Sequence, residues 1–279
     1  MNSQASDREA DTARRELPVD GHVHLHSLEC AVLTFDAAAS NFRAELAQGS
    51  GCVGILLLTQ ASGEKVFEAL RERGRCGDWL IRPSPEESQS LVAERGSDSL
   101  IVVCGRQVRC ESGLEVTALG TTREFPDGLP LADTVRAVQA SGALACLPWG
   151  FGKWTGARAE VVRRALANNS PALLAVCDNG SRLQFSGRPE LVESARMRGH
   201  LVLPGTDPFP FGGDYSRVGS FGFVAAAPGP STPWRDLHAW LQAQAQSPRP
   251  YGRGLGLFRF LFNNIGIQLR NRLGSGRGR

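Results

Sequence analysis

The chain has 279 residues, 42% of them hydrophobic and 21% charged. That length holds one or two domains, and so ordinary a composition excludes wholesale disorder, a collagen-like chain and a disulfide-dense scaffold. The formal charge of +3 averages two unlike parts: from Pro248 onward there are seven arginines and no acid, a segment of +7, and the rest of the chain carries −4.

Seven cysteines (Cys30, Cys52, Cys76, Cys104, Cys110, Cys146 and Cys177) are scattered, never in a C-x-x-C arrangement, and several sit in apolar runs such as VVCG and LACLP. They read as small buried hydrophobes in a reducing compartment, and neither a zinc ribbon nor a disulfide framework is expected. The opening MNSQASDREADTARRE is polar and lacks the apolar core of a secretory signal, so residues 1–16 are expected to be a disordered leader. No run approaches the ~18 apolar residues of a membrane span, and the expected location is the cytoplasm.

The first strand is LPVDGHVHL. FDAAASNFRAELAQG follows with helical spacing, then the buried strand CVGILLLT and the helix SGEKVFEALRERG. LIRPSPEESQSLVAERGSDSLIVVCGRQVRCESGLEVTALG alternates short β-like runs with turn signals and reads as an inserted meander. A βα rhythm then resumes. LADTVRAVQASG, ARAEVVRRALANN and RPELVESARMRG read as helices, and ALACLPW, PALLAVCDN and HLVLPGTD as the strands between them. SFGFVAAA and TPWRDLHAWLQAQAQ close the series as strand and helix. Strands alternating with helices predict parallel pairing, and about seven such units over residues 17–246 predict an α/β fold closed as a TIM-like barrel rather than an open sheet.

In such a barrel the site lies at the carboxyl ends of the strands. The first strand ends in Asp20-Gly-His22-Val-His24-Leu-His26, three of the chain's five histidines within five residues. Alternate residues of an extended segment point the same way, so His22 and His24 project together with His26 as a candidate third, and clustered imidazoles suit zinc, iron or manganese. Two carboxylates are candidates to complete a site. Glu115 interrupts the strand-like SGLEVTALG, and Asp207 ends LVLPGTD. Lys153, in PWGFGKWTG, and Arg182, in CDNGSR, follow later strands and are candidates to hold an anion. His200 and His238 lie away from strand ends and read as structural. GFGK is not a P-loop, GRGLG lacks the final glycine of a dinucleotide fingerprint, and no G-x-S-x-G elbow is present.

At these residues the sequence resembles the polymerase-and-histidinol-phosphatase (PHP) family of metal-dependent hydrolases. Asp20, His22 and His24 match its Asp-x-His-x-His opening, Gly113-Leu-Glu115 its Gly-x-Glu motif, and Gly205-Thr-Asp207 its Gly-Ser-Asp motif. The resemblance implies that residues 17–247 form a distorted (β/α)7 TIM-like barrel of the PHP type, and a phosphoesterase whose metal activates water. Three family ligands are replaced: Leu58-Thr59-Gln60 stands for Thr-Asp-His, Leu147-Pro148 for His-Pro, and Phe209 for a histidine after the late aspartate. What the resemblance leaves is one divalent zinc, manganese or iron on His22, His24, Glu115 and Asp207, with Asp20, Arg182 and Lys153 assisting on a small phosphorylated substrate. The alternatives are a catalytically diminished barrel that binds a ligand or protein, and an amidohydrolase-like enzyme using the same histidines.

The segment 248–279 is set off by SPRP. If helical from Leu257, it places Phe258, Leu261, Phe262, Ile265 and Leu269 opposite Arg259, Asn263 and Arg270. Residues 255–273 are thus expected either to contact an anionic membrane surface peripherally or to dock on the barrel. Nucleic acid is not expected, because no wider basic face accompanies the seven arginines.

Overall fold

The computed structural model describes residues 16–46, 51–180, 182, 187–210 and 213–255. β1 (Glu16–Val23) leads into α1 (Leu28–Leu46), and β2 (Gly51–Leu58) into α2 (Val66–Arg73). The expected meander follows as β3 (Arg75–Cys76), β4 (Trp79–Pro83), β5 (Ser90–Arg95), β6 (Asp98–Val103), β7 (Gly105–Arg109) and β8 (Glu115–Leu119). Then come α3 (Leu131–Ala140), β9 (Leu144–Pro148), α4 (Ala157–Asn168), β10 (Leu174–Asn179), α5 (Glu190–Met197) and β11 (Val202–Gly205). A short 3-10 turn (Asp214–Arg217), β12 (Phe221–Ala226), α6 (Pro233–Gln242) and β13 (Pro250–Gly252) complete the described chain. α1 begins seven residues before Phe35, where the apolar spacing starts, because the Ser27 hydroxyl accepts the Cys30 N–H and caps the helix.

The expected distorted (β/α)7 barrel does not form. The strands make two sheets, one ordered β13-β12-β1-β2-β6-β5-β4-β3 and the other β11-β10-β9-β8-β7, with no closed barrel among the described residues. The cause is the connections. β3 to β6 are joined by short turns, including Gly77-Asp78 and Gly96-Ser97, which admit only antiparallel pairing. β12 returns antiparallel to β1, and β8 lies antiparallel to both β7 and β9. Among the described residues, parallel ladders are confined to β1–β2, β2–β6, β9–β10 and β10–β11.

Burial follows these layers. Phe35, Phe42, Phe67 and Leu70 of α1 and α2 pack on Val53, Leu56 and Trp79 of the larger sheet. Val135, Val162 and Val192 of α3, α4 and α5 pack on Val116, Ala145 and Leu174 of the smaller one. Between the sheets, Val19, Ile55, Leu57 and Phe223 meet Cys146, Ala175, Cys177 and Leu203, and Trp234 and Leu237 of α6 join the same core. The second strand needs its continuous apolar run because both of its faces are covered. All seven cysteines are free thiols.

Two glycines bring the sheets together at one place. A Cβ on Gly21 would lie 2.6 Å from the Pro204 carbonyl oxygen, and one on Gly205 would lie 2.2 Å from the His22 nitrogen. β1 and β11 can therefore run side by side, and the Asp207 N–H donates to the His22 carbonyl at 2.9 Å. At the far end of the chain, β13 pairs with β12 and buries Tyr251, so residues 250–255 belong to the fold. The leader through residue 15 and the tail from residue 256 lie outside the described residues. No described helix is long and apolar enough to cross a membrane.

Candidate metal centre

His22 sits on β1, His24 lies just past its end, and Asp207 lies two residues beyond β11. Their ligand-capable atoms form a small triangle. His22 Nε2 is 3.1 Å from His24 Nε2, and Asp207 Oδ1 is 3.6 Å from the former and 3.4 Å from the latter. Tetrahedral zinc with bonds of about 2.0–2.1 Å separates its ligand atoms by roughly 3.3 Å, so the triangle has the size of one ion's coordination sphere. Two facing imidazole nitrogens repel unless a proton or a cation lies between them. Among the described residues this is the one group of three or more such side chains that could hold a metal ion. His22, His24 and Asp207 therefore fit a single divalent cation.

Asp207 is held in place on three sides. Its backbone is in the left-handed region (φ 47°), a conformation that costs free energy and is maintained by the surrounding bonds. Asn179, at the end of β10, donates to its Oδ2 at 2.7 Å, leaving Oδ1 for the imidazoles. One residue earlier, Thr206 is anchored by Asp20. The buried Asp20 carboxylate accepts the Thr206 N–H (2.8 Å) and hydroxyl (2.6 Å), the Gly219 N–H (2.9 Å) and the His22 N–H (3.3 Å). Burial raises the Asp20 carboxyl above its usual range against the pull of these donors. Asp20 thus positions β1 and the 206–207 segment and does not face the triangle with its own oxygens.

The electrostatics suit a cation site. Burial disfavours a charged His22, but Asp207, Cys177 and Glu115 outweigh it and push the imidazole up to about 9. Burial, with the neighbouring charge on His22, holds His24 below the usual histidine range. Burial would raise Asp207, yet His22, His24 and Lys153 hold its carboxyl well below the carboxylate range. The metal-free protein therefore keeps one proton on His22 beside a neutral His24 and an ionised Asp207.

Glu115 and Lys153 approach from the smaller sheet. β8 runs antiparallel to β9, so its first residue, Glu115, lies at the end where β9, β10 and β11 finish. Its Oε2 takes the Lys153 ammonium in a close ion pair, and Glu115 is not in the triangle. The resemblance's fourth ligand is thus engaged with Lys153 and acts on His22 through space. Arg182 is likewise engaged: its Nε and Nη2 bond Asp178 Oδ1 and Oδ2 at 2.9 and 3.1 Å. The replaced family ligands have structural duties. Gln60 Oε1 accepts the Phe67 N–H at the start of α2, and Leu147 is core. His200 bonds the Leu174 and Leu166 carbonyls, and His238 stacks on Trp234.

Sequence reasoning missed Asp178, Thr206 and the pair His26–Glu64, in which His26 Nδ1 lies 3.3 Å from Glu64 Oε1. Asp178 and Glu64 are acids in or just after strand-end segments, and that position was their signal. The signal for Thr206 was its place at the serine position of the Gly-Ser-Asp motif.

No family model and no curated protein matches the chain. Among solved structures it is similar to PsfC from Pseudomonas syringae PB-5123, with a TM-score of 0.55 and 13% identity over 91% of this chain and 98% of PsfC. The likeness to PsfC is one of fold. A second similarity, to the lesion-specific endonuclease PfuEndoQ from Pyrococcus furiosus, has a TM-score of 0.49 and 10% identity over 84% of this chain and 58% of that one.

Proposed function

We propose that the chain is a metal-dependent hydrolase that cleaves a phosphoester, with one divalent zinc, manganese or iron ion held by His22, His24 and Asp207. The observation that carries this reading is the triangle of two imidazole nitrogens and a carboxylate oxygen with edges of 3.1–3.6 Å. A divalent cation there supplies Lewis acidity, which lowers the pKa of water towards neutrality and offsets phosphate charge. The protein's own groups do the rest. His24 offers a neutral imidazole lone pair, His22 offers one after losing its proton, and Asn179 keeps Asp207 Oδ1 turned inward. Lys153, steered by Glu115 and close enough to lower Asp207, presents its ammonium to a phosphate oxygen. Arg182 is held by Asp178 in an ion pair.

The substrate we infer is small and anionic. For residues 255–273 we propose peripheral contact with an anionic membrane. This is supported by the basic and apolar spacing of the tail, and by the Leu255 N–H, which donates to the Arg182 carbonyl at 2.8 Å and so starts the tail beside Arg182. A second reading, a ligand-binding module without turnover, is favoured by the two ion pairs, since both cations that an anion needs already face carboxylates.

Metal analysis of the purified protein tests the first reading, with a His22→Ala/His24→Ala variant and a generic aryl phosphate assay alongside. About one equivalent of metal and hydrolysis, both lost in the variant, are expected. No metal after reconstitution with zinc, manganese or iron overturns it, and metal without turnover supports the second reading.

A further inference from the structure

The metal centre lies where β9, β10 and β11 finish, and a cavity of about 280 Å³ lies where they begin. Leu144, Ala175 and Leu201, each within one residue of a strand start, line it from the sheet, and His238 and Leu241 line it from α6. From Ala175 to Asn179, which holds Asp207, β10 rises four residues, about 13 Å, so the cavity is separate from the triangle. Leu144, Ala175, Leu201 and Leu241 are at most 7% exposed and belong to the core between the sheets. At this place that core opens outward and is not sealed by a side chain.

No lysine, arginine, aspartate or glutamate lines the cavity. Of its polar groups, the Gln244 amide already donates to the Trp240 carbonyl at 2.9 Å. His238 is the titratable one. Its ring stacks on Trp234, with centroids 5.0 Å apart and planes 13° apart. Burial holds the imidazole below the usual histidine range, so it is neutral at pH 7, with one nitrogen a donor and the other an acceptor. Among the described residues neither nitrogen has a hydrogen-bond partner, and neither is sealed from solvent. The cavity thus combines apolar walls with one neutral group whose hydrogen bonds are unspent.

We infer that this cavity is a ligand site distinct from the metal centre, that it takes an uncharged alcohol of one or two rings, and that His238 supplies the hydrogen bond to its hydroxyl. The size sets the upper limit. An apolar cavity of about 150 Å³ holds benzene, so 280 Å³ takes a fused pair of rings and excludes an oligomer. A charged ligand would lose its water against leucine and alanine with no counter-ion opposite, which selects a neutral one. A hydroxyl both donates and accepts, so it matches His238 in either tautomer. The inference makes no use of the hydrolase reading.

The test titrates the full chain with 2-naphthol, naphthalene and 2-naphthoate by ligand-detected NMR. One 2-naphthol per chain is expected, bound about tenfold more tightly than naphthalene, the ratio for one hydrogen bond, with 2-naphthoate the weakest of the three. Ala172, exposed in the loop before β10, also lines the cavity, so Ala172→Trp should occlude it and abolish binding at an unchanged urea midpoint. His238→Phe keeps a ring on Trp234 and should bring 2-naphthol and naphthalene to equal affinity. His22→Ala/His24→Ala should bind 2-naphthol as the parent does. No binding of 2-naphthol at about 1 mM, undiminished binding in Ala172→Trp, or loss of binding in the His22/His24 variant overturns the site. A preference for 2-naphthol that survives His238→Phe overturns the role given to His238.

Discussion

Replacing Asp20 with asparagine separates a positioning carboxylate from a metal ligand. The Asp20 carboxylate accepts three backbone N–H groups and one hydroxyl, all buried. In Asp20→Asn, the amide oxygen keeps the Thr206 and His22 N–H bonds, and the new NH2 faces Thr206 Oγ1 and the Gly219 N–H. The threonine hydroxyl can turn to accept; the Gly219 N–H cannot. One buried donor is therefore left unsatisfied, at a cost of about 1–3 kcal/mol. Removing a buried charge relieves desolvation and pulls towards the lower half, so about 1–2 kcal/mol of destabilisation is expected. That corresponds to a Tm drop of roughly 3–6 °C for a chain of this size. Because three of the four bonds survive, Asp207 moves little, and metal affinity should fall less than tenfold. Urea denaturation and a zinc-chelator competition read the two quantities. A change in stability below ~0.5 kcal/mol would refute the bonding scheme, and complete loss of metal with unaltered stability would make Asp20 a ligand.

Asn179→Ala frees Asp207 Oδ2, and zinc affinity should drop about 10–100-fold with little change in urea midpoint; an unchanged affinity would show that Asp207 needs no such restraint. His22, at about 9 in the metal-free protein, must lose a proton to bind a cation. Zinc affinity measured by competition should therefore rise about tenfold per pH unit from 7 to 9 and level off above. The same raised value means that the His22–Asp207 contribution to metal-free stability is fully present below pH ~6.5 and is lost as pH climbs through about 9, so the metal-free Tm should decline over that window. A His22→Asn protein that retains the decline would assign it elsewhere. Gly205→Ala drives a methyl into the His22 backbone, and a loss on the order of 3 kcal/mol is expected in chemical denaturation; a wild-type midpoint would contradict the close approach of β1 and β11. For the tail, a chain ending at Leu255 keeps β13 and should sediment with anionic liposomes less than the full chain does, and equal sedimentation would end the membrane proposal.

Local chemistry was legible along the chain. Helical spacing marks α3 to α6, continuous apolar runs mark β2 and β9, and the turn-rich stretch marks the meander, because each depends on neighbours within a few residues. The pair His22 and His24 was legible for the same reason, since alternation along one strand is a local property. Asp207 was visible as a strand-end acid, although nothing near it in sequence says that it meets β1.

Pairing direction, by contrast, is a contest among distant segments. The rhythm of strands and helices implied a closed parallel barrel, but β12 returning antiparallel to β1 and β8 lying between two antiparallel partners divide the strands into two sheets. Roles are decided in the same way. Asp20 and Asp207 are both strand-end aspartates, yet one is consumed by three backbone N–H groups and the other turns an oxygen to two imidazoles. Glu115 looks like a ligand until Lys153 claims it from 38 residues away. The sequence by itself determined which groups could bind a cation. Only the tertiary structure decided which of them are left facing one another, because hydrogen bonds and ion pairs from remote strands satisfy the rest first.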